Sequence, residues 1–131
     1  MRSVVVDTHV LVWYLVRPAR LAKAARRVLA EVDRGRVQAW VPGIVAVELA
    51  LLHERGRSGV GVVELEATLS RNPGLRLLSI DLEQIREFAL LGALRDPFDR
   101  LLVAAARALK APLVTADGAI GASGLVEVIW D

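Results

Sequence analysis

The chain has 131 residues, enough for one domain with a single real core, and its hydrophobic fraction of 54% excludes a disordered polypeptide. No apolar run reaches the roughly 20 residues that a membrane-spanning helix needs, an acid interrupts the apolar segment that follows the N-terminus, and zero cysteines exclude disulfides and thiolate metal sites; the expectation is a soluble, cytoplasmic protein with no membrane partner. Formal net charge is only +2, but residues 1–36 carry eight bases against three acids, and arginine supplies fifteen of the seventeen positive charges, which permits a phosphate-bearing partner without requiring one.

"SVVVD" is a β-branched run and predicts a buried strand. "THVLVWYLV" predicts a short helix that stops at Arg17-Pro18. Leu21, Ala24, Ala25, Val28, Leu29 and Val32 recur at helical spacing, so a helix is expected over 19–34. "RVQAWV" is a second strand, and Pro42-Gly43 opens a helix to about Arg55. A loop covers 56–61 and "VVELEATLS" is another helix, closed by the turn Asn72-Pro73-Gly74. "LRLLSI" is a third strand, and Asp81 caps a helix expected over 82–94. A helix over 97–110, a strand in "PLVTAD" and a strand in "VEVIW" complete the pattern. Strands that alternate with helices and are apolar on both faces imply a parallel sheet covered on each side. Ligands bind such sheets outside the C-terminal ends of the strands.

Four acids fall in suitable places. Asp7 directly follows "VVV", where it either ends the strand and caps the next helix or serves as a ligand; Thr8 is an alternative cap. Glu48 is the one polar side chain in residues 44–52, and Ile44, Val45, Leu51 and Leu52 lie three and four positions away. That places it on an apolar helix face, where a carboxylate requires a cation or a buried arginine. In "RDPFDRLLVAAARAL", Asp96 before Pro97 has the pattern of a helix cap. Asp99 then falls in the first turn, where it can return a capping-box bond, yet it shares a side with Leu102, Val103 and Ala106, toward the sheet edge. Asp117 stands two residues past Thr115, either as a turn residue before Gly118 or as a fourth acid at that edge. Four clustered carboxylates need cations to remain ionised together. Hard oxygen donors select Mg²⁺ or Mn²⁺, the chemistry of phosphoryl hydrolysis.

With these residues in place, the sequence resembles the PIN-domain ribonucleases, in particular the VapC-type toxins of toxin–antitoxin pairs. "VVVDTHVLVWYL", "VAVELALL", "RDPFDRLLVAAARALKAPLVTAD" and "VEVIW" match the family's blocks in order over essentially the whole chain. The resemblance implies a single three-layer α/β/α domain over residues 1–131 with a central parallel sheet of about five strands. It also implies Mg²⁺- or Mn²⁺-dependent cleavage of RNA, a homodimer, and a small VapB-type antitoxin. It carries the acidic quartet over to Asp7, Glu48, Asp99 and Asp117, and an assisting hydroxyl to Thr115. One departure stands out. Where relatives often have a serine or threonine and a tryptophan just before the glutamate, this chain has Val45, Ala46 and Val47.

The remaining polar candidates are weaker. Arg95 and Arg100 flank the Asp96–Asp99 segment and are candidate phosphate contacts. His9 reads as a structural residue near the strand end, His53 as a surface residue, and Trp13, Trp40 and Trp130 as core, with Trp13 or Tyr14 near an interface. No P-loop and no Ser/His/Asp constellation is present. A haloacid-dehalogenase-type phosphatase needs an aspartate at position 9, where His9 stands, and Lys23 and Lys110 are not placed for a response-regulator receiver. The alternative from another class is a module that binds RNA or protein, with a structural cation and no cleavage.

Overall fold

The computed structural model describes residues 2–131. Its strands are β1 (Arg2–Val6), β2 (Val37–Pro42), β3 (Leu75–Leu78), β4 (Leu113–Val114) and β5 (Val128–Ile129). They form one sheet in the order β3-β2-β1-β4-β5, and every pairing is parallel. The helices are α1 (Thr8–Val16), α2 (Lys23–Asp33), α3 (Gly43–Glu54), α4 (Val62–Arg71), α5 (Leu82–Leu90), α6 (Pro97–Leu109) and α7 (Gly118–Ser123). The expected parallel α/β architecture with five strands is therefore present.

The sequence accounts for the order of layers. Val4, Val5 and Val6 are all buried, which requires cover on both faces of β1, the central strand. Helix α6 supplies an unbroken buried run, Leu102, Val103, Ala104, Ala105 and Ala106, and its alanines let the helix backbone approach β1 closely. Each buried valine or leucine contributes about 1.5–3 kcal/mol relative to exposure. Along the other edge, the Tyr14 hydroxyl of α1 donates to Asp33 at the end of α2 and accepts from Asn72 Nδ2 at 2.9 Å in the turn before β3. Burial, then Asp33, pushes this phenol's pKa far up, so it remains a donor.

Several boundaries differ from the sequence expectation. The helix over 19–34 is divided: Pro18–Arg20 forms a single 3-10 turn, Leu21 is extended, and α2 begins at Lys23. The Arg26 guanidinium braces that turn by donating to the carbonyls of Leu21 at 3.1 Å and Ala19 at 3.4 Å. Helix α5 ends at Leu90 rather than 94, because the Leu91 amide closes on the Phe88 carbonyl and Gly92 follows, a poor helix former. Strand β4 shrinks to two residues, and α7 forms where only a turn was expected. Trp13, Trp40 and Trp130 are half-buried and packed against the core rather than within it.

Leu49 is fully buried on α3, next to Glu48. Leu49→Ala should destabilise the protein by about 2–5 kcal/mol in urea unfolding. A loss below about 0.5 kcal/mol would show that α3 does not depend on this contact.

Candidate active site

Strand β1 leads on to β2 on one side of the sheet, while its other neighbour is β4. A crevice at such a topological switch point opens outside the C-terminal strand ends. Asp7 follows β1 and Thr115 follows β4, and the ladder continues through them, with the Asp7 amide donating to the Val114 carbonyl at 3.1 Å.

Asp7 both caps α1 and faces the crevice, so the two readings of this residue are not alternatives. Its Oδ1 accepts from the Thr8 amide at 2.6 Å and its Oδ2 accepts from the Thr115 hydroxyl at 2.5 Å. Thr8 is not the cap. It is fully buried, and its hydroxyl donates to Glu48 Oε1 at 2.5 Å. On the far side, the Asp117 amide donates to Thr115 Oγ1 at 3.1 Å. A continuous chain of hydrogen bonds thus runs Glu48–Thr8–Asp7–Thr115–Asp117. Asp117 also caps α7, accepting at Oδ1 from the amides of Ala119 at 2.9 Å and Ile120 at 3.1 Å.

Two expectations require correction. Glu48 is half-buried rather than fully buried, because Val45 and Leu49 take the core positions of α3. Among the described residues no arginine pairs with it. Its hydroxyl partner comes from Thr8, forty residues away, instead of from the apolar segment preceding it. Asp99 forms no capping-box bond: Asp96 Oδ1 accepts from the amides of Phe98 at 2.8 Å and Asp99 at 3.3 Å, which leaves the Asp99 carboxylate outside the cap.

Asp7, Glu48, Asp99 and Asp117 line one cavity of about 300 Å³, together with His9, Trp13 and Ala116. His9 is exposed at this cavity, 6.0 Å between ring centroids from Trp13, and is not packed into the structure near the strand end. Arg95 and Arg100 do not line it. The Arg100 guanidinium lies 4.1 Å from the Phe88 ring centroid, and its Nε donates to the Phe88 carbonyl at 2.9 Å, which turns it toward α5.

The electrostatics follow from this crowding. Burial raises the Asp7 pKa above its usual value, and Glu48 adds to the rise; the Thr115 hydroxyl, the Thr8 amide and His9 oppose it. Asp99 is raised to about 6, first by burial and then by Asp96, Asp117, Asp7 and Glu48. The donor set is oxygen from carboxylates, which suits a hard divalent cation. Among the described residues no three His, Asp or Glu side chains stand close enough together to hold a metal ion as a group. An open ring of this kind suits Mg²⁺, which is usually held by one or two carboxylates plus water and substrate phosphate rather than by an all-protein cage.

A model of the PIN domain family matches residues 4–122. The chain belongs to the PIN domain family. No curated protein sequence matches it. Solved structures share the PIN fold at low sequence identity. VapBC2 from Rickettsia felis, bound to a DNA fragment from its promoter, is 14% identical with a TM-score of 0.71, over 98% of this chain and 99% of that one. FitAcB from Neisseria gonorrhoeae is 18% identical with a TM-score of 0.66, over 95% of each chain. VapC20 from Mycobacterium tuberculosis, a sarcin–ricin loop cleaving toxin, is 20% identical with a TM-score of 0.62, over 96% of this chain and 98% of that one.

The raised Asp99 pKa sets the sign of a pH effect on this PIN domain. The folded protein binds the Asp99 proton more tightly than the unfolded chain does, so stability from this group is full below about pH 4 and is lost as pH rises through 6. In EDTA at pH 7, Asp99→Asn should therefore raise the melting temperature slightly, since solvent screens this partly exposed group, and the gain should vanish near pH 4. A variant that melts below wild type at pH 7 would contradict the proposed crowding.

Proposed function

We propose that this PIN domain is a Mg²⁺- or Mn²⁺-dependent endoribonuclease that hydrolyses RNA phosphodiester bonds and acts as the toxin of a VapBC-type toxin–antitoxin pair. The observation that carries this reading is the convergence of Asp7, Glu48, Asp99 and Asp117, from four separate segments, on one cavity at the sheet's switch point.

Asp7, Glu48, Asp99 and Asp117 would hold the cation. When bound, a divalent cation supplies positive charge against the phosphodiester oxygens and acidifies a water. The residues of the chain do the rest. Thr8 and Thr115 fix the carboxylates of Glu48 and Asp7, so their oxygens are oriented before substrate arrives. Asp99 lies outside the threonine chain; burial and the neighbouring acids raise its pKa to about 6, and added positive charge in the cavity favours its ionised form. Water attacks phosphorus in line and gives one proton to a cavity carboxylate or solvent, a new O–P bond forms, the P–O bond to the leaving ribose oxygen breaks, and that oxygen takes up one proton from the same source. No serine, cysteine or histidine nucleophile is needed.

The partner assignments rest on likeness. VapBC2 and a toxin–antitoxin complex from Klebsiella pneumoniae have the same fold, which supports a VapB-type antitoxin for this chain. A homodimer is supported by Leu77, Ile80, Leu82 and Ile85, each at least 50% exposed along the edge strand β3 and the start of α5.

With RNA and Mn²⁺, Asp7→Asn and Asp99→Asn should each lose cleavage by about 100-fold or more. Asp96→Asn, which keeps the helix cap, should stay within a few-fold of wild type. RNA left intact by the wild-type protein in excess Mn²⁺, together with measurable binding, would replace this reading with a non-cleaving binding module.

A further inference from the structure

A second cavity, of about 460 Å³, lies outside the carboxylate ring. It is bounded by α1, the 3-10 turn at Pro18–Arg20 and the loop between α3 and α4, and Arg17, Arg20 and Arg57 line it. Its wall includes His9 and Trp13, which also line the carboxylate cavity, so the two spaces meet at these two rings. We propose that this groove is the track for single-stranded RNA next to the bond that is cut, with backbone phosphates on Arg17 and Arg57 and an unpaired base against Trp13. This deepens the ribonuclease reading and rests on it.

Three features point to this occupant. Among the described residues none of the three arginines is in an ion pair. All three are exposed, so their guanidinium groups are available to an anion. The aromatic wall is built and held: Trp13 is backed by Trp130 at 5.7 Å between ring centroids, and Arg20 lies over its ring at 5.0 Å. The turn that carries Arg20 is in turn braced by Arg26. Arginine planes beside aromatic rings are what unpaired bases stack on, and stacking tolerates any base.

Continuity with the acid ring decides between RNA and an acidic protein segment. A phosphodiester entering a cavity lined by four carboxylates is repelled, and a strand that crosses His9 and Trp13 into the arginine groove offsets that repulsion on the same molecule. The segment adjacent to the reacting phosphate is by necessity the substrate itself.

The test uses the full chain and a labelled single-stranded RNA of about 12 nucleotides. Binding is measured by fluorescence anisotropy in EDTA over a salt series, and cleavage is measured separately with Mn²⁺. The double variant Arg17→Ala/Arg57→Ala should bind about tenfold more weakly or worse. Its salt slope should fall by about 1.4, two contacts at about 0.7 each for a single strand. In cleavage its KM should rise while kcat stays near wild type. Arg17→Lys/Arg57→Lys should restore most of the slope, since a point charge suffices for phosphate. The control Arg34→Ala/Arg36→Ala, on the Glu31 side of the molecule, should bind as wild type does. If wild type cleaves RNA and Arg17→Ala/Arg57→Ala matches it in affinity, slope and KM, the track is overturned, the ribonuclease reading stands, and the groove is left to a protein partner. If wild type leaves RNA intact while binding still depends on these arginines, the ribonuclease reading fails and the groove stands as an RNA site.

Discussion

Carboxylates brought into one cavity repel one another, and a protein that gathers four of them must hold them against that repulsion. Here two buried threonines hold two of the four, the carboxylates of Glu48 and Asp7. Thr8 binds Glu48 through its hydroxyl and Asp7 through its amide, while Thr115 donates to Asp7 and accepts from the Asp117 amide. The two hydroxyls join residues from the ends of β1 and β4 and from α3 into one connected unit. Bonds of neutral donors to charged acceptors contribute about 1.5–3 kcal/mol each, enough to set side-chain geometry where each carboxylate alone would turn toward water. The valines of β1 serve the same end, since burial on both faces fixes the strand end from which Asp7 and Thr8 project.

Much of this was legible in the sequence, and the reasons are local. A β-branched run followed by an acid locates a strand end, and the four acids were each placed by an apolar pattern or a proline beside them. Asp96 and Asp99 could be separated because a cap before Pro97 has a defined geometry, and the structure gives Asp96 the cap. What could not be read was long-range. The Thr8–Glu48 bond joins residues forty apart, and nothing in "DTHV" or "AVEL" announces it. The absence of a hydroxyl before Glu48 pointed away from an assisted glutamate, whereas the assistance arrives from another helix. Helix α7 was missed for a related reason: "DGAIGAS" is poor in helix formers, and the helix forms because Asp117 caps two of its amides. Arg100 reads as a phosphate contact by position, but the Phe88 ring and carbonyl capture it.

The charge of the chain takes on meaning once the fold is known. A net charge of +2 conceals an acidic cavity and a groove lined by three arginines, and the two share two aromatic rings. Of the bases concentrated in the first 36 residues, Arg17 and Arg20 stand beside the cavity of the acids, where Arg57 from the α3–α4 loop joins them. Repulsion at the centre and attraction beside it suit a polyanion that is held next to its reacting group.

The dependence of the site on its threonines is tested most directly by titrating Mn²⁺ into Thr8→Val and Thr115→Val and following free Mn²⁺ by electron paramagnetic resonance. Both substitutions keep the side-chain shape and remove one hydroxyl. Partners that orient metal-binding groups typically contribute about 10–100-fold to affinity. The expected result is folded proteins that bind Mn²⁺ weaker than wild type by a factor in that range. Wild-type Mn²⁺ affinity in both variants would contradict the threonine chain as the element that holds the acids in place.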